Sequence, residues 1–275
     1  MAAAAAHAAV GRMPFTWSMA GAFVLANDPL QGTPAALLGD HLSYLGNYGM
    51  NGCANNAAPH GCAANGCNYP GGNDPAEILG YADLATWVSA TQAAGLYAGL
   101  WGVTYDNVEA EAACMAEVLR TLDAAHGVRA DFLLVDGEKS FETNQNYSAR
   151  FVRTLNGALP YELHKAYTPE CHTAVPMAPW LEGNFTSIMP MAYWNADGVD
   201  PAWCLQWLLA NGVPLPRAQV MWDGYTHGTP HSWSAYAADM ALVKGARGFS
   251  VWRTLNEAEW GELKQVMENT TIAVW

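Results

Sequence analysis

Positive charge is scarce in this chain. Twelve Lys and Arg stand against 25 Asp and Glu, a formal net charge of −13. That balance argues against a nucleic-acid partner and against docking on an anionic membrane surface. Charge of either sign is thin, at 13% of residues, whereas 51% are hydrophobic, so a large core is expected and disorder is not. No apolar run reaches the 18 or more residues of a membrane span. The Ala-rich start M-A-A-A-A-A-H-A-A-V-G-R has no basic segment ahead of an apolar one, so it does not read as a signal peptide. Residues 1–12 are expected to be a disordered or processed tail, and 13–275 a single folded domain. No Gly-x-Gly-x-x-Gly or Walker motif follows a strand, and no Gly-x-Ser-x-Gly elbow or Ser-His-Asp arrangement is visible. No cofactor is expected.

What is abundant is aromatic side chains, with 12 Trp and 12 Tyr, and a strand–helix alternation. Strands are expected in Pro14–Leu25 (in either half of that stretch), Tyr48–Ala54, Leu96–Val103, Ala130–Glu138, Tyr161–Tyr167, Ser187–Asn195, Arg217–Tyr225 and Gly248–Leu255. Helices are expected at Thr33–Tyr48, from Asp74 to about Ala94, and at Asn107–His126, Asn144–Leu159, Asp200–Ala210, Ser232–Lys244 and Glu257–Met267. Thr33 and Pro34 supply an N-cap and a first-turn proline, and Leu37, Leu38, Leu42 and Leu45 follow at helical spacing. From the fourth strand on, strands begin about every 30 residues, the rhythm of repeated βαβ units. Eight such strands in 275 residues point to a (β/α)8 TIM barrel, with a long Cys/Gly/Asn-rich loop after the second strand.

Ala130–Glu138, A-D-F-L-L-V-D-G-E, ends in two carboxylates two residues apart. On a strand they share a face, their Cβ atoms roughly 6–7 Å apart. Two acids that close cannot ionise independently, so one keeps its proton to higher pH, as a glycosidase acid must. A strand end capped by two solvated acids is the bland alternative. Barrel chemistry sits at the C-terminal strand ends. Trp101 on strand three, Asp136 and Glu138 on four, Tyr167 on five, Tyr193 and Asn195 on six, Asp223 on seven and Trp252 on eight all fall there. Acids ringed by Trp and Tyr suit a sugar, although any one such ring is more often core.

In order, D-F-L-L-V-D-G-E, S-A-R-F-V-R-T-L, A-Y-T-P-E-C, W-L-E-G-N-F-T-S-I-M-P-M-A-Y-W and G-A-R-G-F-S-V-W resemble the core of the hyaluronidase family. The related chitinase family shares the Asp-x-Glu, the Met-x-Tyr and the last Trp. The resemblance spans about residues 130–253 and implies a glycosidase acting on N-acetylated polysaccharide. Glu138 would be the general acid/base, and Asp136 would orient the substrate's 2-acetamido group. Tyr193 would hydrogen-bond that group, Tyr167 would line the same subsite, and Trp252 would form its floor. The implied mechanism is retaining and substrate-assisted, one of the exceptions to the two-carboxylate scheme. Two positions depart from the families: Leu134 stands where chitinases carry a further Asp, and Gly137 where hyaluronidases carry an aromatic.

Two other readings stay open. A lysozyme-type muramidase would need an acid on the first strand, and Pro14–Ala26 holds none. A catalytically silent glycan-binding or structural barrel would keep the fold without the chemistry.

Cys53, His60, Cys62 and Cys67 lack the Cys spacing of structural zinc sites, so no metal is expected. Disulfides or free thiols in that loop are the simpler reading, with Cys171 as a candidate fourth partner to Cys53, Cys62 and Cys67, and with Cys114 and Cys204 as buried small hydrophobes. Sequons at Asn146, Asn184 and Asn269 join the cysteines in pointing to an extracellular or secretory/lysosomal setting. His164 and His227 read as structural residues.

Overall fold

The computed structural model describes residues 22–26, 42–47, 81–93, 97–104, 107–137, 139–192, 200–223 and 248–252. The strands among them are β1 (Ala22–Ala26), β2 (Leu42–Asn47), β3 (Tyr97–Thr104), β4 (Phe132–Gly137), β5 (His164–Thr168), β6 (Ser187–Ile188), β7 (Met191–Ala192), β8 (Gln219–Asp223) and β9 (Gly248–Trp252). The helices are α1 (Tyr81–Ala93), α2 (Val108–His126), α3 (Lys139–Thr143), α4 (Asn146–Ala158), α5 (Ala178–Glu182) and α6 (Pro201–Ala210). The strands form one sheet in the order β6-β5-β4-β3-β2-β1-β9-β8-β7, and every pair is parallel.

The expected sixth strand is present as two pieces, β6 and β7, separated by Met189 and Pro190. Proline has no N–H to donate to a ladder. The backbone bonding nevertheless runs through the gap: Met189 N–H donates to the Tyr167 carbonyl and Met221 N–H to the Pro190 carbonyl. Single bridges also join Glu170 to Met191 and Ile188 to Ala218. The stretch is therefore bonded to β5 on one side and to β8 on the other.

All six residues of β4 are buried. Leu133 and Val135 join the core with the helix residues Leu119, Leu122, Phe151 and Leu155. Phe132, Leu134 and Asp136 alternate onto the opposite face. Burial on both faces is what a parallel sheet imposes, and it makes a strand read as a nearly unbroken apolar run. Gly99 on β3 pairs with Phe132; a side chain there would overlap the Phe132 ring. Local signals end the helices. Asp200 caps α6 by accepting from Ala202 N–H at 2.8 Å, with Pro201 in the first turn. Gly127 closes α2 at φ 64°.

Two expectations are corrected. The helix expected at Thr33–Tyr48 gives way to β2 at Leu42–Asn47, and the Tyr48–Ala54 strand lies outside the described residues. Leu42 and Leu45 fit a helical spacing, but over so few residues a strand fits them equally well. For the first strand, β1 takes the later half of the expected stretch. The second correction concerns cysteine. Cys204 is buried, as expected, but it is disulfide-bonded to Cys171, and Cys114 is also disulfide-bonded. The Glu170–Met191 bridge brings the turn after β5 beside β7, and α6 follows soon after, so the two Cα atoms come within 5.5 Å. The long Cys/Gly/Asn-rich loop, the residue 1–12 tail and the two helices expected after Tyr225 lie outside the described residues.

Lys165 ties β5 to its helix layer. Its Nζ donates to Asn156 Oδ1 at 2.5 Å and to the Gly183 carbonyl at 2.7 Å. Burial pushes its pKa down to about 8, against a smaller opposing pull from Glu162. Between about pH 8 and the unfolded value of 10.5, the unfolded chain binds more protons than the folded one. The sign then follows: stability from this group rises with pH across that window, and below it the cost of the buried charge stands in full. Urea denaturation of wild type and Lys165→Met should show their difference moving in favour of wild type between pH 7 and pH 9.5 (pH values chosen to bracket the window, roughly). A difference independent of pH would contradict the assignment.

Candidate active site

Because every strand runs the same way, all the C-terminal strand ends lie along one edge of the sheet. Asp136 is the penultimate residue of β4, paired with Val103 on β3 and Thr168 on β5. Its side chain is only 4% exposed and shares a face with Thr168, away from the helices. Thr168 Oγ1 donates to the Met189 carbonyl at 2.6 Å. Below this level the same face carries Leu134, Ala166 and Ser187, with Ser187 Oγ donating to Gln219 Oε1 at 2.9 Å. Asp223 and Trp252, the last residues of β8 and β9, are register partners, and Trp252 also pairs with Leu25 on β1. These two positions therefore lie at the same edge as Asp136. Trp101 pairs with Leu134, which sets its backbone two residues below Asp136 rather than level with it.

Glu138, Tyr193 and Asn195 lie outside the described residues. So does His227. His164 pairs with Phe132 at the N-terminal end of β4, the opposite end from Asp136, as a structural residue would.

Tyr167 is placed differently from the expectation. It pairs with Val135, not Asp136, so alternation turns it toward the helices. It is wholly buried. Its ring lies flat on Trp180, with centroids 3.6 Å apart and planes 4° apart, and its hydroxyl donates to the Gly137 carbonyl at 2.9 Å. Such a side chain has no surface to offer a sugar. It belongs to an aromatic layer with Phe141, Phe151, Trp180 and Phe185.

The same layer explains the missing aromatic between the two acids. A Cβ on Gly137 would lie 2.9 Å from both the Phe141 and the Tyr167 rings, closer than real Cβ contacts come. The volume that a residue at 137 would fill is supplied by its neighbours. Nothing in the local sequence marks this, because Phe141 and Tyr167 approach Gly137 from α3 and β5. The other carbonyl of the segment, that of Asp136, accepts from Thr104 Oγ1 at 2.9 Å. Thr104, at the end of β3, was not among the expected site residues. Only the β3–β4 register identifies it, by pairing it with Gly137.

No protein-family model matches the chain, and no curated protein matches it. Solved structures do share its fold. One is the spore cortex-lytic enzyme SleL of Bacillus cereus, with TM-score 0.54 and 12% identity over 93% of this chain and 76% of that one. Another is the C-terminal domain of a chitinase-like protein from Desulfitobacterium hafniense, with TM-score 0.59 and 9% identity over 91% of this chain and 99% of that one. A third is a GH113 β-1,4-mannanase, with TM-score 0.58 and 8% identity over 94% of this chain and 100% of that one. These likenesses are of fold: a parallel-strand α/β architecture consistent with TIM-barrel neighbours.

Gly137→Ala tests the packing around the acid segment. The added methyl must displace two buried rings, and overpacking of this kind costs about 1–3 kcal/mol. Urea denaturation should show a loss in that range. A variant as stable as wild type would mean that the rings do not crowd Gly137.

Proposed function

We propose that the chain is a glycoside hydrolase that cleaves N-acetylhexosamine-containing polysaccharide with retention of configuration. We read its fold as one closed (β/α)8 barrel. The bonding of residues 187–192 to both β5 and β8 supports closure. The observation that carries the functional reading is the placement of Asp136. It is a carboxylate at the C-terminal end of a buried parallel strand, on the face turned from the helices, where barrel enzymes keep their chemistry. The register of Asp223 with Trp252 at the same edge supports it.

In this reading Glu138 is the general acid/base. The substrate's acetamide oxygen attacks the anomeric carbon as the glycosidic C–O bond breaks, and Glu138 gives its proton to the leaving oxygen. Asp136 accepts a hydrogen bond from the acetamide N–H, which stabilises the positive charge of the cyclic oxazolinium intermediate. Tyr193 donates to the same group. Water then attacks the anomeric carbon, Glu138 takes its proton, and the ring opens to the acetamide. Trp252 forms the floor under the reacting sugar. Trp101, Asn195 and Asp223 complete the walls. Tyr167 is left out of the sugar contacts, because it is buried among the helices. No cofactor takes part.

β1 reads A-F-V-L-A and carries no acid, which counts against the muramidase reading. The Cys171–Cys204 disulfide supports an oxidising, extracellular or secretory/lysosomal location.

Reducing-end release from chitin, peptidoglycan, hyaluronan, chondroitin and mannan, with native protein and Glu138→Gln, tests the reading. Activity is expected on at least one of the N-acetylated polymers. Loss of the general acid should lower it by about 10²–10⁴-fold. Activity on none of them would overturn the proposal in favour of a catalytically silent barrel, and activity that survives the substitution would overturn the assignment of Glu138 as the acid. Activity on mannan, which has no acetamido group, would exclude substrate assistance.

A further inference from the structure

Two peptide units separate the α-carbons of Asp136 and Glu138. One carries the Asp136 carbonyl and the other the Gly137 carbonyl. Each carbonyl accepts a side-chain hydroxyl from a different neighbouring strand. Thr104 Oγ1, from β3, reaches the Asp136 oxygen at 2.9 Å. Tyr167 Oη, from β5, reaches the Gly137 oxygen at 2.9 Å. We propose that Thr104 and Tyr167 form a two-hydroxyl clamp that positions the strand end carrying Asp136, acting through the backbone and touching no substrate.

The register shows why a clamp is needed there. The β4–β5 pairing ends at Asp136 and Thr168, so the Gly137 carbonyl lies past the last β4–β5 pair. On that side Tyr167 Oη bonds the Gly137 oxygen in place of a further ladder pair, at the edge where chemistry requires fixed geometry. A peptide unit is planar, so fixing the two oxygens fixes the backbone orientation at Asp136 and Gly137. Both donors are themselves immobile. Thr104 is 1% exposed. Tyr167 is held by its stack on Trp180 and by the tilted Phe141 ring 6.3 Å away. Gly137 admits the arrangement, since any Cβ would push the Tyr167 ring back. The clamp grips from the helix side at 137 and from β3 at 136, through backbone carbonyls and not through the Asp136 side chain.

This inference rests on the glycosidase reading, and its test separates the two. On the polymer that wild type cleaves, kcat and KM are measured for wild type, Glu138→Gln, Tyr167→Phe, Thr104→Val and Thr104→Ser, with folding checked by near-UV circular dichroism. Misplaced catalytic groups lose rate more than affinity. Tyr167→Phe and Thr104→Val should each lower kcat about ten- to hundredfold with KM within about twofold of wild type. Thr104→Ser, which restores the hydroxyl, should recover most of the loss. If Tyr167→Phe does not fold, the Thr104 pair decides. Unchanged kcat in the valine variant, equal loss in the serine variant, or a rise in KM at constant kcat would each overturn the clamp. If Glu138→Gln is inactive while both clamp variants stay normal, only this inference fails. If wild type cleaves nothing, the glycosidase reading fails and the clamp with it.

Discussion

Parallel pairing is the constraint on which the rest of this structure depends. Parallel neighbours cannot be joined by tight hairpins, so each described connection that returns to the sheet has to cross over, and α2, α4 and α6 lie in such crossovers. The crossovers cover one face of the sheet with helices and leave the other face to be filled by the sheet's own residues. β4 is buried on both faces for that reason. Leu133 and Val135 pack toward α2 and α4, while Phe132, Leu134 and Asp136 face away. A carboxylate among such residues is costly unless it is used or compensated. Parallel pairing also aligns the strand ends, so residues from β3, β4, β5, β8 and β9 meet at one edge although the chain runs from Tyr97 to Trp252 between them.

A second layer of organisation lies behind that edge. Trp180 supports Tyr167, Tyr167 supports Gly137, and Phe141 closes the gap beside them. The aromatic rings of this layer, which in the sequence suit sugar binding, serve packing. One ring expected at the substrate has its role in this layer instead. The difference follows from a single register step, since Tyr167 pairs with Val135 rather than Asp136.

Much of this was legible in the sequence, and the parts that were not share a cause. The β4 run A-D-F-L-L-V-D announces burial on both faces, Asp200 with Pro201 announces α6, and the regular strand spacing announces the parallel architecture. Local signals do not carry the register between strands. The face taken by Tyr167, the pairing of Thr104 with Gly137, and the meeting of Cys171 with Cys204 all depend on which residues lie side by side after folding. β2 was missed for a different reason: Leu42 and Leu45, three residues apart in a short segment, satisfy helix and strand alike. At Pro190 a strand that reads as continuous is split, because the missing N–H removes one ladder bond.

The central claim is that the carboxylates at the end of β4 work with the substrate's own acetamide as nucleophile. Proton NMR of the first product released from an N-acetylhexosamine oligomer, before the reducing end mutarotates, tests the double displacement that this requires. The account predicts that the new anomeric centre has the configuration of the bond that was cleaved, since two displacements at one carbon restore it. A product of inverted configuration would require a single displacement by water and would contradict the account.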